Sequence, residues 1–261
     1  MINLQKRRDY EASLNNILHK ASLEEWVERV VITLLNDILD DLGKWPELSA
    51  EDTPKFSRTK LQTIYGLSAP SVPDGTITYQ QADLKTATLQ PRALIEVKNL
   101  ATNQKEYVFI GKGAGKVIEK LKDELKNESD IKNIIKEILY NGSEGKCAEL
   151  KNKWKVKVLP INKTYGASPI EIMNPSETLV ATLYQLDTYL LECYLYSEIK
   201  GVIWTNGLCW KIWRKDDSGN IDSGLADPPI ILDPSRHGNV QIDPIKFRDL
   251  TNELISFLST L

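Results

Sequence analysis

The sequence predicts an α/β domain in which a mixed β-sheet is flanked by helices. The prediction depends on three observations: apolar residues at helical spacing between Glu24 and Leu42, two strand-like runs at 75–80 and 92–98, and the hairpin signal Asn206-Gly207 between two further strand-like runs. The chain has 261 residues, 41% of them hydrophobic and 26% charged, a balance typical of a globular protein with a sizeable core. We therefore expect one domain over residues 1–261.

Three segments have the periodicity of amphipathic helices. The first begins near Glu24 and has an apolar stripe that recurs every three or four residues, comprising Val27, Val30, Val31, Leu34, Leu35, Ile38 and Leu42. Ser22 with Glu25 has the form of a capping box at its start, and Gly43 is typical of its end. The other two helices are predicted over about 176–198 and 244–258.

Two pairs of strands are predicted on either side of a long intervening region. The runs 75–80 and 92–98 are expected to pair antiparallel, and the runs 201–205 and 208–214 are expected to form the hairpin. Between the pairs, the region from about 100 to 170 mixes strand-like sequence with helical sequence rich in lysine and glutamate. We interpret this region as a helical and strand insertion that follows the strand with Glu96.

Three lysines in that region alternate with apolar residues, namely Lys153, Lys155 and Lys157. Such alternation is typical of a strand with one cationic face. The lysines either follow the phosphate backbone of a nucleic acid or blunt an exposed edge strand. We favour the edge-strand interpretation, so a role in nucleic-acid binding is the weaker expectation for them.

The strand 92–98 has an acid and a base on one face. Residues two apart in a strand project to the same side, so Glu96 and Lys98 lie side by side while Val97 points into a core. If the paired strands place their apolar residues on a common side, Asp74 falls opposite Glu96 with about 4.5–5.5 Å between the Cβ atoms. Two carboxylates at this separation repel unless a cation lies between them, and proteins typically hold Mg²⁺ by one or two carboxylates. We therefore predict a site for Mg²⁺ or Mn²⁺ between Asp74 and Glu96.

The first helix contributes a further acid. At about 100° per residue, Glu28 falls inside the apolar arc of the helix and Glu24 falls near its centre. Acidic side chains rarely point into a core without a partner. We therefore predict that Glu28 contacts the metal or a bound water, with Glu24 as the second candidate and Glu25 as part of the helix cap.

The order of these motifs resembles a known nuclease superfamily. Pro73-Asp74 followed by Glu96-Val97-Lys98 is similar to the signature of the PD-(D/E)xK nucleases. Three flanking features resemble one branch, the N-terminal nuclease domain of type I restriction enzyme motor (R) subunits and its stand-alone relatives: Leu42-Gly43 after the helix with Glu28, a Gln-x-x-x-Tyr motif from Gln185 to Tyr189, and Thr205-Asn206-Gly207 before Trp210. The resemblance covers roughly Leu23 to Arg214, except for the insertion.

The resemblance implies a restriction-endonuclease-like fold and a set of roles. Asp74, Glu96 and the backbone carbonyl of Val97 would bind the metal, and Lys98 would position or deprotonate the attacking water. Elementary chemistry agrees, because a metal lowers the pKa of bound water and neutralises charge on the scissile phosphate. The resemblance also implies a catalytic role for Gln185, and a weaker role in nucleic-acid binding for Tyr189. Alternatively, these two residues are a solvent-exposed pair on one helix face.

We accordingly expect a Mg²⁺-dependent endonuclease that hydrolyses DNA phosphodiester bonds within a restriction or defence system. Its expected partners are DNA, subunits of such a system and a second copy of the chain. The alternative is a non-catalytic nucleic-acid-binding or assembly module that retains the nuclease fold.

Composition bounds the partners and the compartment. The formal net charge is −3, so any contact with DNA must come from local basic patches. No apolar run is long enough to span a membrane, the first ten residues are polar and mixed in charge, and the three cysteines include no close pair. These features favour a cytoplasmic protein without membrane association.

Overall fold

In a computed structural model of the chain, the described residues are 4–18, 24–52, 73–80, 89–100, 186, 189–190, 193, 197–219, 221, 229–234 and 238–261, with the backbone of 163–165 and 168–170. The helices are α1 (Leu4–Leu18), α2 (Glu24–Asp41) and α3 (Pro244–Leu258). The strands are β1 (Leu48–Asp52), β2 (Gly75–Gln80), β3 (Leu89–Val97), β4 (Lys163–Tyr165), β5 (Ser168–Ile170), β6 (Gly201–Thr205), β7 (Cys209–Arg214) and β8 (Ile230–Ile231). Four further residues are helical and are called the Tyr189 segment: Leu186, Tyr189, Leu190 and Cys193.

Six strands form one open sheet in the order β1-β2-β3-β6-β7-β8. Neighbouring strands pair antiparallel except β3 and β6, which pair parallel between 93–97 and 201–205. Strands β4 and β5 pair antiparallel in a separate sheet. A parallel pair needs a crossover connection, and here residues 98–200 provide it. The prediction of a mixed sheet with helices is confirmed, and the sheet is mostly antiparallel.

Helix α2 follows the predicted apolar stripe. Its buried residues are Val27, Glu28, Val31, Leu34, Leu35, Ile38 and Leu39. The helix ends at Asp41, one residue before the predicted end, because Gly43 adopts a left-handed φ of 65° that redirects the chain. The N–H of Gly43 donates to the carbonyl of Asp40 at 2.8 Å, which satisfies one of the last carbonyls of the helix. Ser22 of the predicted capping box lies outside the described residues.

The register of β2 and β3 agrees with the prediction. Gly75 lies opposite Ile95 in the antiparallel pair. One position further along both strands, the same register places Asp74 opposite Glu96. A β-bulge after Ile77 changes the register only towards the other end of the pair, so it leaves this end unaffected.

The hairpin predicted around Asn206-Gly207 is present between β6 and β7. The two strands pair antiparallel, and the last pair is Thr205 with Trp210. Gly207 has a φ of 87°, which glycine adopts without the penalty that a Cβ brings. A Cβ there would also lie 3.0 Å from Cδ2 of Leu14, so α1 packs closely over the turn.

The sheet has two buried faces. Residues paired across neighbouring strands project from the same face, so the row Ile95, Ile203 and Ile212 lies in the core that α1, α2 and α3 also line. The next row, Glu96, Trp204 and Lys211, lies on the opposite face. Three tryptophans of β6 and β7 are fully or almost fully buried, namely Trp204, Trp210 and Trp213. Their burial favours packing over the alternative of base stacking.

Helices α1 and α3 close the first face. Asn15 of α1 exchanges hydrogen bonds of 2.7 and 3.0 Å with the backbone of Val240, which ties α1 to the segment before α3. Helix α3 has the predicted bounds. It begins after Asp243, whose carboxylate accepts hydrogen bonds from the N–H groups of Ile245 and Lys246.

Of the predicted insertion, only Leu100 and the backbone of β4 and β5 are described. Lys153, Lys155 and Lys157 therefore lie outside the described residues, and their strand stays a prediction. Among the helices that the structure describes, none is both long and apolar enough to cross a membrane.

Candidate active site

Asp74, Glu96 and Lys98 meet where β3 ends. Glu96 is fully buried within β3. Asp74 immediately precedes β2, and its Oδ2 accepts a hydrogen bond of 2.8 Å from the N–H of Val97. Lys98 follows β3, and its ammonium forms an ion pair with Oε1 of Glu96. The two acids and the base that the sequence singles out therefore form one cluster, which we call the Asp74 cluster.

Backbone pairing fixes the position of the Asp74 cluster. The N–H of Lys98 donates to the carbonyl of Thr205 at 2.8 Å, which continues the pairing of β3 with β6 past Val97. On the other side of β3, the hydrogen bond between Asp74 and Val97 ties in the start of β2. The cluster is thus held from both sides, at the carboxyl end of a parallel strand pair, where α/β sheets commonly bind ligands.

The amino end of α2 supplies another charged group. Oε1 of Glu24 lies 3.1 Å from Nζ of Lys98, so the ammonium is shared between Glu24 and Glu96. The side chain of Glu24 is 43% exposed, whereas that of Lys98 is 14% exposed. Glu24, the second candidate for a metal contact, is thus a partner of Lys98 in this structure.

Burial and crowding shift the pKa values of the cluster. Burial, reinforced by the charge of Asp74, raises the pKa of Glu96 to about 8, although Lys98 acts in the opposite direction. Burial also raises the pKa of Asp74, against the lowering effect of Lys98. Burial alone would lower the pKa of Lys98, but Glu96, Asp74 and Glu24 together raise it well above its usual value. Lys98 is therefore an ammonium, as predicted, and the carboxylates around it exceed it in charge.

Glu28 is buried, as predicted, and faces a second acid. The residue is 8% exposed, and its neighbour is Asp52 at the end of β1. Burial, followed by a hydrogen bond with Asp52 and by the charges of Asp52, Asp74 and Glu25, raises the pKa of Glu28 to about 8. Asp52 pairs across the strands with Gly75, the residue after Asp74, so Glu28 and Asp52 border the Asp74 cluster.

Asp52 is the site residue that the sequence analysis missed. It ends a short strand in which Leu48 and Ala50 are buried, so alternation places its side chain on their face of the sheet. That alternation is the signal in the sequence. It is weak, because the strand has only five residues and ends in two acids.

Tyr189 is fully buried and forms a hydrogen bond with Glu96 that lowers the pKa of that carboxyl. The alternative of a solvent-exposed helix face is therefore wrong for Tyr189, because the second face of the sheet is covered at this point. A buried side chain has no surface for nucleic acid in this conformation, so the geometry favours positioning of Glu96 over nucleic-acid contact. Gln185, the other member of the predicted pair, lies outside the described residues.

The donor set of the site suits a hard divalent cation. Among the described residues, no group of three or more histidine, cysteine, aspartate or glutamate side chains is placed to hold a metal ion. Mg²⁺ needs only one or two carboxylates, because it keeps several waters and takes further oxygens from a phosphate substrate. The side-chain donors here are carboxylates, and their raised pKa values reflect missing positive charge. The residues thus fit Mg²⁺ or Mn²⁺ with water ligands.

Comparisons of the chain with protein-family models, with curated proteins and with solved structures each found no match. A function for the chain must therefore be argued from the order of its motifs and from the chemistry of the Asp74 cluster.

Proposed function

We propose that this chain is a nuclease that hydrolyses DNA phosphodiester bonds with a divalent cation, and that its sheet belongs to a restriction-endonuclease-like fold of the PD-(D/E)xK superfamily. One observation carries the proposal. Asp74, Glu96 and Lys98, which the motif singles out in the sequence, form a buried cluster at the end of β3. A core that only needed to pack has no physical reason to bury two carboxylates side by side.

Asp74, Glu96 and the carbonyl of Val97 would hold Mg²⁺ or Mn²⁺. When bound, the cation supplies a water of lowered pKa and neutralises charge on the scissile phosphate. The protein holds the two carboxylates in place beforehand: Val97 donates to Asp74, and Tyr189 hydrogen-bonds to Glu96. Such preorganisation reduces the rearrangement needed when substrate binds.

Lys98 would act on the phosphate and on the attacking water. Its ammonium lies between Glu24 and Glu96, and a small part of its side chain remains exposed to a substrate. A fixed positive charge lowers the barrier because negative charge develops on the phosphoryl oxygens in the transition state. Since its neighbours raise the pKa of Lys98, it donates a hydrogen bond to the water rather than taking a proton from it.

DNA is the proposed substrate because the motif order resembles that of restriction nucleases. With a formal net charge of −3, the chain must contact DNA through local basic groups, and Lys98 is the basic residue of the Asp74 cluster. Subunits of a restriction or defence system, and a second copy of the chain, are the proposed protein partners.

Cleavage of plasmid DNA tests the proposal. Wild-type protein with Mg²⁺ or Mn²⁺ should nick or linearise supercoiled plasmid, and Asp74→Ala and Glu96→Gln should each abolish the reaction. Glu47→Gln is the matched control, because Glu47 is an exposed acid just before β1 and its loss should leave cleavage unchanged. Wild-type protein that binds DNA but cleaves no supercoiled, linear or single-stranded substrate with either cation would leave the non-catalytic module as the better account.

A further inference from the structure

Glu28 and Asp52 present two oxygens that the rest of the described chain leaves unpaired. Oε1 of Glu28 and Oδ1 of Asp52 are both buried, and neither accepts a hydrogen bond in the described structure. Glu28 is more than nine-tenths buried, and its side chain is directed at Asp52. Isolated buried carboxylates are costly, so such a pair needs a bound species between its oxygens.

A backbone clamp holds the two acids together. Asn36 of α2 donates to the carbonyl of Ala50 at 2.9 Å and accepts from the N–H of Ala50 at 2.7 Å. Glu28 lies about two turns before Asn36 on α2, and Asp52 lies two residues after Ala50 on the same face of β1. The approach of Glu28 to Asp52 is therefore built into the packing of α2 on β1 and does not depend on a mobile side chain.

The charges around the pair favour a cation. The largest electrostatic influences on Glu28 come from Asp52, Asp74 and Glu25, which are all acidic. A shared proton would join one oxygen of Glu28 to one of Asp52 but would leave the repulsion from Asp74 in place. A divalent ion takes oxygens from both carboxylates at once and offsets the neighbouring charge as well.

We propose that Glu28 and Asp52 form a second divalent-cation site, distinct from the one between Asp74 and Glu96. The ion would be held by the two carboxylates and completed by water or by an oxygen of the substrate phosphate. The proposal deepens the proposed function and rests on it only for the catalytic consequence, in which a second cation stabilises the leaving oxygen of a phosphodiester. Binding of the ion itself does not require that function.

The number of bound Mn²⁺ ions tests the second site. The free Mn²⁺ signal in electron paramagnetic resonance, recorded during a titration of the full chain, should give two bound ions for the wild type. Asp52→Asn should bind one ion. Glu51→Gln is the matched control, because it removes a neighbouring acid on the same strand whose side chain projects to the other face, and it should still bind two.

Two further variants keep the outcome decisive. Glu28→Gln should also bind one ion, while Glu25→Gln on the exposed side of α2 should bind two; circular dichroism checks that each variant is folded. A wild type that binds a single ion overturns the second site whatever the variants do, as does retention of both ions by Asp52→Asn or Glu28→Gln. If Asp74→Asn keeps two ions while Asp52→Asn loses one, the second site stands and the metal site of the proposed function fails.

Discussion

Two acidic groups lie next to each other at this end of the sheet, and they differ in how their charge is compensated. In the Asp74 cluster, Glu96 pairs with Lys98 and Asp74 accepts a hydrogen bond from the backbone. In the second group, one oxygen each of Glu28 and Asp52 is buried without a hydrogen bond from the described residues. The first group is organised around a cation of the protein itself, whereas the second depends on a species that must be added. This difference separates what each group can do: the first can bind and polarise a substrate phosphate, and the second can only recruit a proton or a metal.

The largest effect is expected when the first group loses its own cation. Lys98→Ala should lower the rate of DNA cleavage by about 10²–10⁴-fold, because the ammonium acts mainly on charge that develops in the transition state. DNA affinity should stay nearly unchanged. Single-turnover cleavage and equilibrium DNA binding, measured on the same two proteins, separate the two quantities.

Lys246→Ala is the control for Lys98→Ala, because Lys246 is an exposed lysine on α3 and its loss should leave cleavage intact. If the chain is only a binding module, neither protein cleaves DNA. Lys98→Ala would then weaken binding modestly and flatten its salt dependence by about one unit of slope.

The next largest effect concerns added metal. A divalent cation at about 100 times its dissociation constant should stabilise the fold by about 2.7 kcal/mol for each site, because it binds only the folded state. Urea unfolding in Mg²⁺ and in a chelator measures this difference. Asp74→Ala should lose the contribution of one site, and an unchanged contribution in that variant would show that Asp74 is not a ligand.

The pH dependence of stability should distinguish the protein with metal from the protein without it. Burial raises the pKa values of Glu96 and Glu28 in the folded chain to about 8, whereas unfolded glutamates titrate at about 4.3. Between these pH values the folded state binds more protons than the unfolded state, so stability falls as the pH rises. The slope is at most about 1.4 kcal/mol per pH unit for each group.

Bound cation should reduce that fall, since it stabilises both carboxylates in their ionised form. Urea unfolding between pH 5 and 8, with a chelator and with Mg²⁺, provides the comparison. Stability that rises with pH in the chelator would contradict the raised pKa values and would mean that other groups already compensate Glu28 and Glu96.

The same two groups show how far the sequence alone leads. Asp74, Glu96 and Lys98 could be predicted because a strand alternates its faces and because the apolar residues of β2 and β3 determine the register. Helices α2 and α3 follow from local periodicity in the same way. These features depend on residues close together in the chain, or on two neighbouring strands.

Asp52 and the burial of Tyr189 depend instead on contacts between distant parts of the chain. Strand β1 has little strand character of its own and is held by its pairing with β2 and by the clamp from Asn36. Tyr189 is buried because a helix covers the face that Glu96 and Trp204 share, and that face exists only once β3 and β6 have paired in parallel. Tertiary contacts of this kind leave no local pattern in the sequence.

The smallest expected effect tests whether Tyr189 positions the Asp74 cluster. Tyr189→Phe removes the hydrogen bond that lowers the pKa of Glu96, so that pKa should rise further and metal binding should weaken at neutral pH. Loss of one buried hydrogen bond should also cost about 1 kcal/mol of stability. Tyr10→Phe is the matched control, because the hydroxyl of Tyr10 is likewise buried and donates to the carbonyl of Gly207 at 2.7 Å, outside the cluster. Both variants should lose similar stability, but only Tyr189→Phe should shift the pH midpoint of Mn²⁺ binding upward. An equal midpoint in the two variants would reduce Tyr189 to a packing residue, and the Asp74 cluster would then owe its compensation to Lys98 and the backbone N–H of Val97.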